Sequence, residues 1–347
     1  MNVVNNIVEV KPTAMISVPR MFEKIHSQIY ETIHSKGVLK RNLFHTAIKI
    51  GRIYLYRQSR NDQLIDWLKI QYKFFDLLVF RQIRKRFGGR LSYFISGGAP
   101  LDKTINEFMW IIGLPVYEGY GLTETSPVLA LNVPGANRFG SVGKPIPETE
   151  IKFAPDGELL VKGPQVSQGY YDDPKETATA FVDGWFKTGD IATIDAAGYL
   201  YIIDRKKELI VTSGGKNIAP QLLENELKLD KYISHAYIYG DKKPYLVALL
   251  TPNLERLIKF AREQKINYLS IEDLVDNHQV QQLYALRVAR FNQKRSPYET
   301  IKNFELLARE FTATAGELTP TLKLKRKNID SMYSHNIEQL YSQNKQS

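Results

Sequence analysis

GYGLTETSP, residues 119–127, places two glycines, a tyrosine, two threonines, a glutamate and a proline in nine positions. What precedes it gives it a context. LSYFI (91–95) reads as a short buried strand, SGGAP (96–100) breaks it, and DKTINEFMWIIG (102–113) follows as a helix with Ile105, Phe108 and Ile112 on one face. PVYE (115–118) is the next strand and leads directly into GYGLTET. Strand, glycine loop and helix in alternation predict a parallel α/β sheet. Ligands of such sheets sit beyond the C-terminal ends of the strands, where both SGGAP and GYGLTET fall.

The residue types suit a ligand. Glycines let a backbone approach it closely. An aromatic at the mouth can stack on a flat ring. A hydroxyl can donate to a phosphate oxygen, and a neighbouring carboxylate can hold a hard cation such as Mg²⁺. Taken alone, the string is served as well by a structural turn.

Moving outward, the first ninety residues read mainly as helix. Phe22, Ile25, Ile29 and Ile33 form one stripe that Lys36-Gly37 ends, and a second helical region covers Ile65 to Arg86. Its basic end, RQIRKRFGGR (81–90), suits phosphate, but cations in a last helical turn also complement the helix dipole. From about Gly140 the texture is β. TEIKFAPDGELLVKG (149–163) is a hairpin around Pro155-Asp156-Gly157, and IATIDAAGYLYIIDR (191–205) is a second, turning at Asp195 to Gly198. Pro220 opens a helix, and SHAYIYGDKKPYLVALLT (234–251) reads as two strands around a turn. A domain boundary is expected near Asp204 to Lys207.

A chain of 347 residues exceeds the usual single core, and 43% apolar residues argue against disorder. There are no cysteines, so no disulfide framework or thiolate metal site is expected. The first ten residues, MNVVNNIVEV, show no secretory pattern, and no apolar run approaches ~18 residues, the length of a membrane span. A cytoplasmic protein is expected, with peripheral membrane contact compatible with its net charge of +10. The basic clusters RQIRKRFGGR and KLKRK lack interleaved aromatics, so nucleic acid is not an expected partner.

GYGLTET, GWFKTGD (184–190), DRKKELIVTSGGKNIAP (204–220) and ELTPTLKLKR (317–326), in this order, resemble the adenylate-forming (AMP-binding) superfamily. Within it they are most similar to long-chain acyl-CoA synthetases and acyl–acyl carrier protein synthetases. SVPRMFEKI (17–25) and SPYETIKNF (296–304) also resemble that branch. The resemblance implies a multidomain α/β fold. Residues 1–139 would be part of a large adenylate-binding domain with a parallel sheet, 140–204 its β-rich subdomain, and 205–347 a small mobile α+β domain. It also implies a two-step reaction: a fatty acid carboxylate attacks the α-phosphate of ATP to give acyl-adenylate and pyrophosphate, then a thiol of CoA or of acyl carrier protein displaces AMP.

On this resemblance Gly97, Gly98, Ala99 and Pro100 match the loop against adenine. Glu118, Gly119, Tyr120 and Gly121 match the adenine and acyl-pocket wall, with Tyr120 stacking. Thr123 matches the α-phosphate hydroxyl and Glu124 the Mg²⁺ ligand. Asp190 and Arg205 match the ribose contacts, Lys207 the hinge, and Gly214, Gly215 and Lys216 the loop that approaches the thiol substrate. Gly214-Gly215 reads equally as a strand-to-helix turn. Lys323 aligns with the mobile lysine of the adenylation step, where a point-like cation suits developing charge. TLKLKRK (321–327) also offers Lys325, Arg326 and Lys327. The register favours Lys323 over Lys325, although the family usually has glycine where Leu322 stands.

The family's phosphate loop, rich in Ser, Thr and Gly, should lie upstream of SVPRMFEKI, and the residues before Ser17 contain no glycine. The chain is therefore expected to correspond to the C-terminal half of an acyl-activating enzyme. It would act with a separately encoded N-terminal half, or be a truncated or degenerate form that binds AMP or acyl-adenylate without turnover.

Overall fold

The stripe of Phe22, Ile25, Ile29 and Ile33 folds into a helix, Pro19–His34, with Pro19 at the first turn where no N–H is required. The computed structural model describes residues 3–59, 63, 65–319 and 322–342. Pro320 and Thr321 of ELTPTLKLKR, and the outermost residues of the first and last expected domains, lie outside these. The chain divides into two compact units, Met1–Ile202 and Ile203–Ser347.

The first unit holds helices α1 (Val3–Val10), α2 (Pro19–His34), α3 (Val38–Ser59), α4 (Asp66–Phe75), α5 (Arg81–Lys85), α6 (Lys103–Ile111) and α7 (Pro174–Ala180). Its first sheet contains β1 (Ala14–Ser17), β2 (Tyr93–Ser96), β3 (Val116–Gly121), β4 (Val128–Leu131) and β5 (Lys144–Pro145), in that order. β1, β2 and β3 run parallel, as the alternation predicts, whereas β4 and β5 are antiparallel additions. No α-helix follows GYGLTET directly. A single 3₁₀ turn, Thr123–Thr125, returns the chain at once, and so short a connection can only make an antiparallel neighbour.

Helices α2, α3 and α6 pack on the sheet through Phe22, Phe44, Phe94, Phe108 and Ile111. Helix α6 starts where Asp102 accepts the N–H groups of Thr104 and Ile105 at 2.8 and 3.0 Å, an N-cap that satisfies donors the helix itself cannot. Between α4 and α5 the helix continues through one π-helical stretch, Asp76–Phe80. Arg84, in the basic run that sequence left between phosphate binding and a helix end, turns inward. It forks onto both oxygens of Asp76 at 2.6 and 2.8 Å and donates to the Ile112 carbonyl.

The second sheet of this unit comprises β6 (Glu150–Phe153), β7 (Glu158–Lys162), β8 (Phe181–Val182), β9 (Trp185–Ile194) and β10 (Leu200–Arg205), ordered β10-β9-β7-β6 with β8 against β9. Both expected hairpins are present, and Gly157 supplies the left-handed turn residue of the first at φ +85°.

The second unit opens with a two-stranded ribbon, β11 (Ile210–Val211) and β12 (Asn217–Ile218), followed by α8 (Pro220–Leu227). Gly214-Gly215 thus lies in a hairpin loop between strands, not in a strand-to-helix turn. A three-stranded sheet, β13 (Ile233–Tyr239), β14 (Leu246–Pro252) and β15 (Ile301–Leu306), is buried on both faces. Leu246, Ala248 and Leu250 face α8, α9 (Leu254–Glu263), α10 (Ile271–Asp276) and α11 (His278–Asn292). Val247 and Leu249 face α12 (Arg326–Met332) and α13 (Ser334–Ser342). The alternation is the strand period of two.

Candidate functional site

The site is built on the C-terminal ends of β2 and β3. Ser96 pairs with Glu118, so the SGGAP loop and the GYG segment lie side by side, and the position of a Cβ on Gly97 falls 3.8 Å from the Gly119 carbonyl oxygen. Gly98 adopts φ +82°. Gly119, Tyr120 and Gly121 belong to the strand rather than to a loop. At Gly121 a Cβ would come within 1.6 Å of the Pro127 carbonyl oxygen, so only glycine lets β4 fold back there.

Two hydroxyls that look alike in sequence are used differently. Thr125 is fully buried; its oxygen accepts the Leu122 N–H at 2.9 Å and donates to the Pro127 carbonyl at 2.7 Å. It locks the turn, with Ser126 next to it at φ +55°. Thr123 is exposed at the start of the turn. Glu124 is half-buried, and its Oε1 accepts the Tyr170 hydroxyl at 2.9 Å while its main-chain carbonyl accepts the Ser167 N–H at 2.7 Å. Burial, and then the Glu124 carboxylate, push the Tyr170 phenol up to about 12. Sequence reasoning missed Tyr170 because nothing in GYYDDP marks it as a partner of a residue 46 positions away.

Tyr120 donates to Asp190 Oδ2 at 2.5 Å. Asp190 lies on β9 and is 3% exposed, and its N–H donates to the Thr188 hydroxyl. Expected as a stacking ring and an acceptor for ribose, the two are held together here by a contact the motifs do not reveal. Glu118 is 6% exposed and accepts Asn106 Nδ2 at 2.8 Å and the N–H groups of Leu101 and Gly140. It clamps the end of the SGGAP loop to α6. Burial outweighs those hydrogen bonds and raises its carboxyl to about 7.

The remaining candidates belong to the second unit. Arg205 and Lys207 are exposed, and Asp204, beside Arg205 at the end of β10, is buried. The Asp204 carboxylate accepts the N–H groups of Arg205 at 2.7 Å and Gln221 at 3.2 Å, the latter in the first turn of α8. Burial raises its carboxyl to about 6. The loop from Thr212 to Lys216 exposes Gly214 and Gly215, the latter at φ +71°, and Lys216 Nζ stands 5.7 Å above the Tyr298 ring.

Lys323 closes a tight loop: its N–H donates to the Thr319 hydroxyl at 3.0 Å and its carbonyl accepts the Thr319 N–H at 2.7 Å. Leu322, where the family usually has glycine, adopts φ +62°. Of the other cations in TLKLKRK, Lys325 and Lys327 are exposed, but Arg326 is not available. It pairs with buried Glu224 at 2.7 Å, donates to the Ile238 carbonyl at 2.5 Å and lies 4.6 Å over the Tyr237 ring.

Among the described residues no group of three or more His, Cys, Asp or Glu side chains could hold a metal ion. Of the residues expected at the site, Glu124 would offer Mg²⁺ one carboxylate ligand, with phosphate and water to supply the rest, a common manner in nucleotide sites.

A family model for AMP-binding enzymes matches residues 2–171, and a model for the AMP-binding enzyme C-terminal domain matches 207–345. The chain is 39% identical to the long-chain-fatty-acid–CoA ligase FadD15 of Mycobacterium bovis, over 96% of this chain and 55% of that one. It is 33% identical to the peroxisomal long chain acyl-CoA synthetase 7 of Arabidopsis thaliana (96% and 49%) and 32% identical to long-chain-fatty-acid–CoA ligase 1 of Homo sapiens (96% and 48%). The chain thus spans about half the length of the curated relatives it matches. Its fold matches the adenylation domain of a carboxylate reductase from Mycobacterium chelonae with a TM-score of 0.68 at 22% identity, over 98% of this chain and 48% of that one. O-succinylbenzoate coenzyme A synthetase of Bacillus subtilis, solved with ATP and magnesium ion, matches with a TM-score of 0.53 at 26% identity, over 70% and 46%.

Proposed function

The chain belongs to the family of AMP-binding enzymes, and on that premise we propose that it activates long-chain fatty acids, acting with the part of its relatives that it does not span. The observation that carries this reading is the cluster at the end of β3: exposed Thr123, Glu124 held by Tyr170, and Tyr120 tied to Asp190. A hydroxyl and a carboxylate on adjacent residues of a rigid turn provide one donor for an α-phosphate oxygen and one ligand for Mg²⁺. The ion, when bound, neutralises phosphate charge.

In the first step a fatty acid carboxylate oxygen forms a bond to the α-phosphorus and the bond to pyrophosphate breaks. Thr123 would donate to the α-phosphate oxygen that gains charge, and Lys323 would reach the same group. In the second step a thiolate sulfur adds at the acyl carbonyl and the bond to AMP breaks. CoA and the pantetheine of acyl carrier protein are both proposed as acceptors, and Gly214, Gly215 and Lys216 as the loop that meets them. Gly97 to Pro100 with Gly119 to Gly121 would flank adenine, and Asp190 and Arg205 the ribose. The left-handed Leu322 supports Lys323 over Lys325, because it is the conformation that a glycine at that position would favour. A hinge at Lys207, a cytoplasmic location and peripheral membrane contact complete the proposal.

The β- and γ-phosphates need donors beyond those in this chain, each charge-assisted hydrogen bond contributing about 1.5–3 kcal/mol. Pyrophosphate release from ATP and palmitate is therefore expected with a supplied N-terminal half of a relative, and not without it. Release that stays at background in the supplemented reaction would count against the proposal. AMP binding by calorimetry, with no turnover in either mixture, would favour a binding module.

A further inference from the structure

Trp67, Ile70, Phe74 and Leu77 lie along one side of α4 and the π-helical stretch, and they are 63%, 66%, 54% and 56% exposed. Their spacing of three, four and three makes a single helical stripe. The opposite side buries Leu68 and Val79 and packs Tyr72 and Phe75 against the core. The helix therefore has two apolar faces, and one of them is turned to solvent. A row of large exposed apolar side chains marks a surface that meets something.

The charge around it says what. Residues 36–90 contain 14 Lys and Arg against three Asp and Glu, a net of +11. The whole chain nets +10, so everything outside that segment nets −1. Helix α3 carries Lys40, Arg41, Lys49, Arg52 and Arg57 and no acidic residue. On α4 and α5, Lys73 and Arg81 are exposed, exposed Lys69 pairs with Asp66 at 3.0 Å, and Arg84 pairs with Asp76. Beside the stripe a cavity of about 590 Å³ includes Leu78 in its lining, together with Lys36, Lys40 and Arg86.

We propose that this face docks onto an anionic lipid bilayer, with the stripe at the boundary of headgroups and acyl chains and the surrounding cations against lipid phosphates. Nucleic acid would account for the charge but not for the apolar row. A second copy of the chain would bring two strongly cationic segments together, which repel. The proposal gives the peripheral membrane contact suggested above a surface. It is tested by binding rather than turnover, so it and the ligase reading can fail separately.

The test is co-sedimentation of the full chain with phosphatidylcholine vesicles, with and without phosphatidylglycerol, at low and high salt. Binding is expected only with phosphatidylglycerol, and it weakens as salt screens the cations. The variant W67S/I70S/F74S should lose at least about tenfold in vesicle partition, and K69E/K73E/R81E should lose as much. All six side chains are exposed, so far-UV circular dichroism should match the parent. Should the apolar variant misfold, the charge variant carries the test alone. A parent chain that ignores anionic vesicles, or folded variants that sediment with them like the parent, would overturn the proposal. So would a dimer abolished by W67S/I70S/F74S with no lipid binding, which would assign the face to a second copy.

Discussion

The Tyr170 hydroxyl donates to Glu124 Oε1 at 2.9 Å, fixing the carboxylate proposed as the metal ligand from a segment 46 residues downstream. Tyr170→Phe removes that donor and leaves the ring in place. The expected cost is about 0.5–1.5 kcal/mol of stability, a typical single hydrogen bond. In the supplemented pyrophosphate assay the Mg²⁺ concentration for half-maximal rate should rise. A magnesium titration identical to the parent would mean that the tyrosine does not position Glu124.

Glu118 makes a statement about pH. Its carboxyl titrates near 4.5 when exposed and at about 7 when folded, so the folded chain binds the extra proton between those values. This contribution is present below about 4.5 and is lost as pH rises through about 7. The loss amounts to up to about 3 kcal/mol at one pKa unit per 1.36 kcal/mol. Glu118→Gln stays neutral throughout and should gain stability relative to the parent between pH 5 and 8. Urea unfolding at both pH values reads the difference, and a gap that does not change with pH contradicts the assignment.

The basic run at 323–327 separates into two jobs. Arg326→Met leaves Glu224 buried without its partner and should cost about 3–5 kcal/mol, most of which Arg326→Met with Glu224→Gln should restore. Lys323→Ala, at an exposed position, should stay within about 0.5 kcal/mol of the parent while removing pyrophosphate release in the supplemented assay. Equal losses of stability in Arg326→Met and Lys323→Ala would merge what the structure separates.

Leu322 stands at φ +62°, where a non-glycine residue costs about 1–2 kcal/mol. Glycine relieves this but is freer when unfolded, which returns about 0.5–1 kcal/mol. Leu322→Gly is thus expected to match or exceed the parent in chemical denaturation, and Leu322→Val to fall below it. The reverse order would show that the left-handed turn is not populated in solution.

What the sequence made legible was local. Helix α2, helix α6 and the hairpins at Gly157 and Gly198 are specified by stripes, caps and turns within a few residues of one another. Helix α3 falls in the region read mainly as helix, but no stripe marked it, because its buried side is Phe44, Ala47, Ile48, Gly51 and Leu55, in which alanine and glycine hide the period. Gly51 matters there by its smallness: a Cβ would stand 2.5 Å from Ile111 Cγ2 on α6. The motifs placed the glycines beside one another, yet Tyr120 with Asp190, Asn106 with Glu118 and Glu224 with Arg326 are side-chain meetings across 70, 12 and 102 residues. Contacts at such separations leave no spacing to read, so nothing in TLKLKRK showed that Arg326 is held by Glu224.

The π-helical stretch at Asp76–Phe80 works as a phase shifter. Each residue of an α-helix advances about 100° around the axis, so one extra residue in a turn resets the angular position of everything after it. Before the stretch the outward side is read by Trp67, Ile70 and Phe74; after it, Ile83 is seated in the core and Arg84 reaches Asp76 and the Ile112 carbonyl. Deleting one residue from 76–80 would leave a more regular helix and a worse protein. It would swing Ile83 out of the core and carry Arg84 away from both partners, so the irregular turn is what lets one continuous helix serve two differently oriented neighbourhoods.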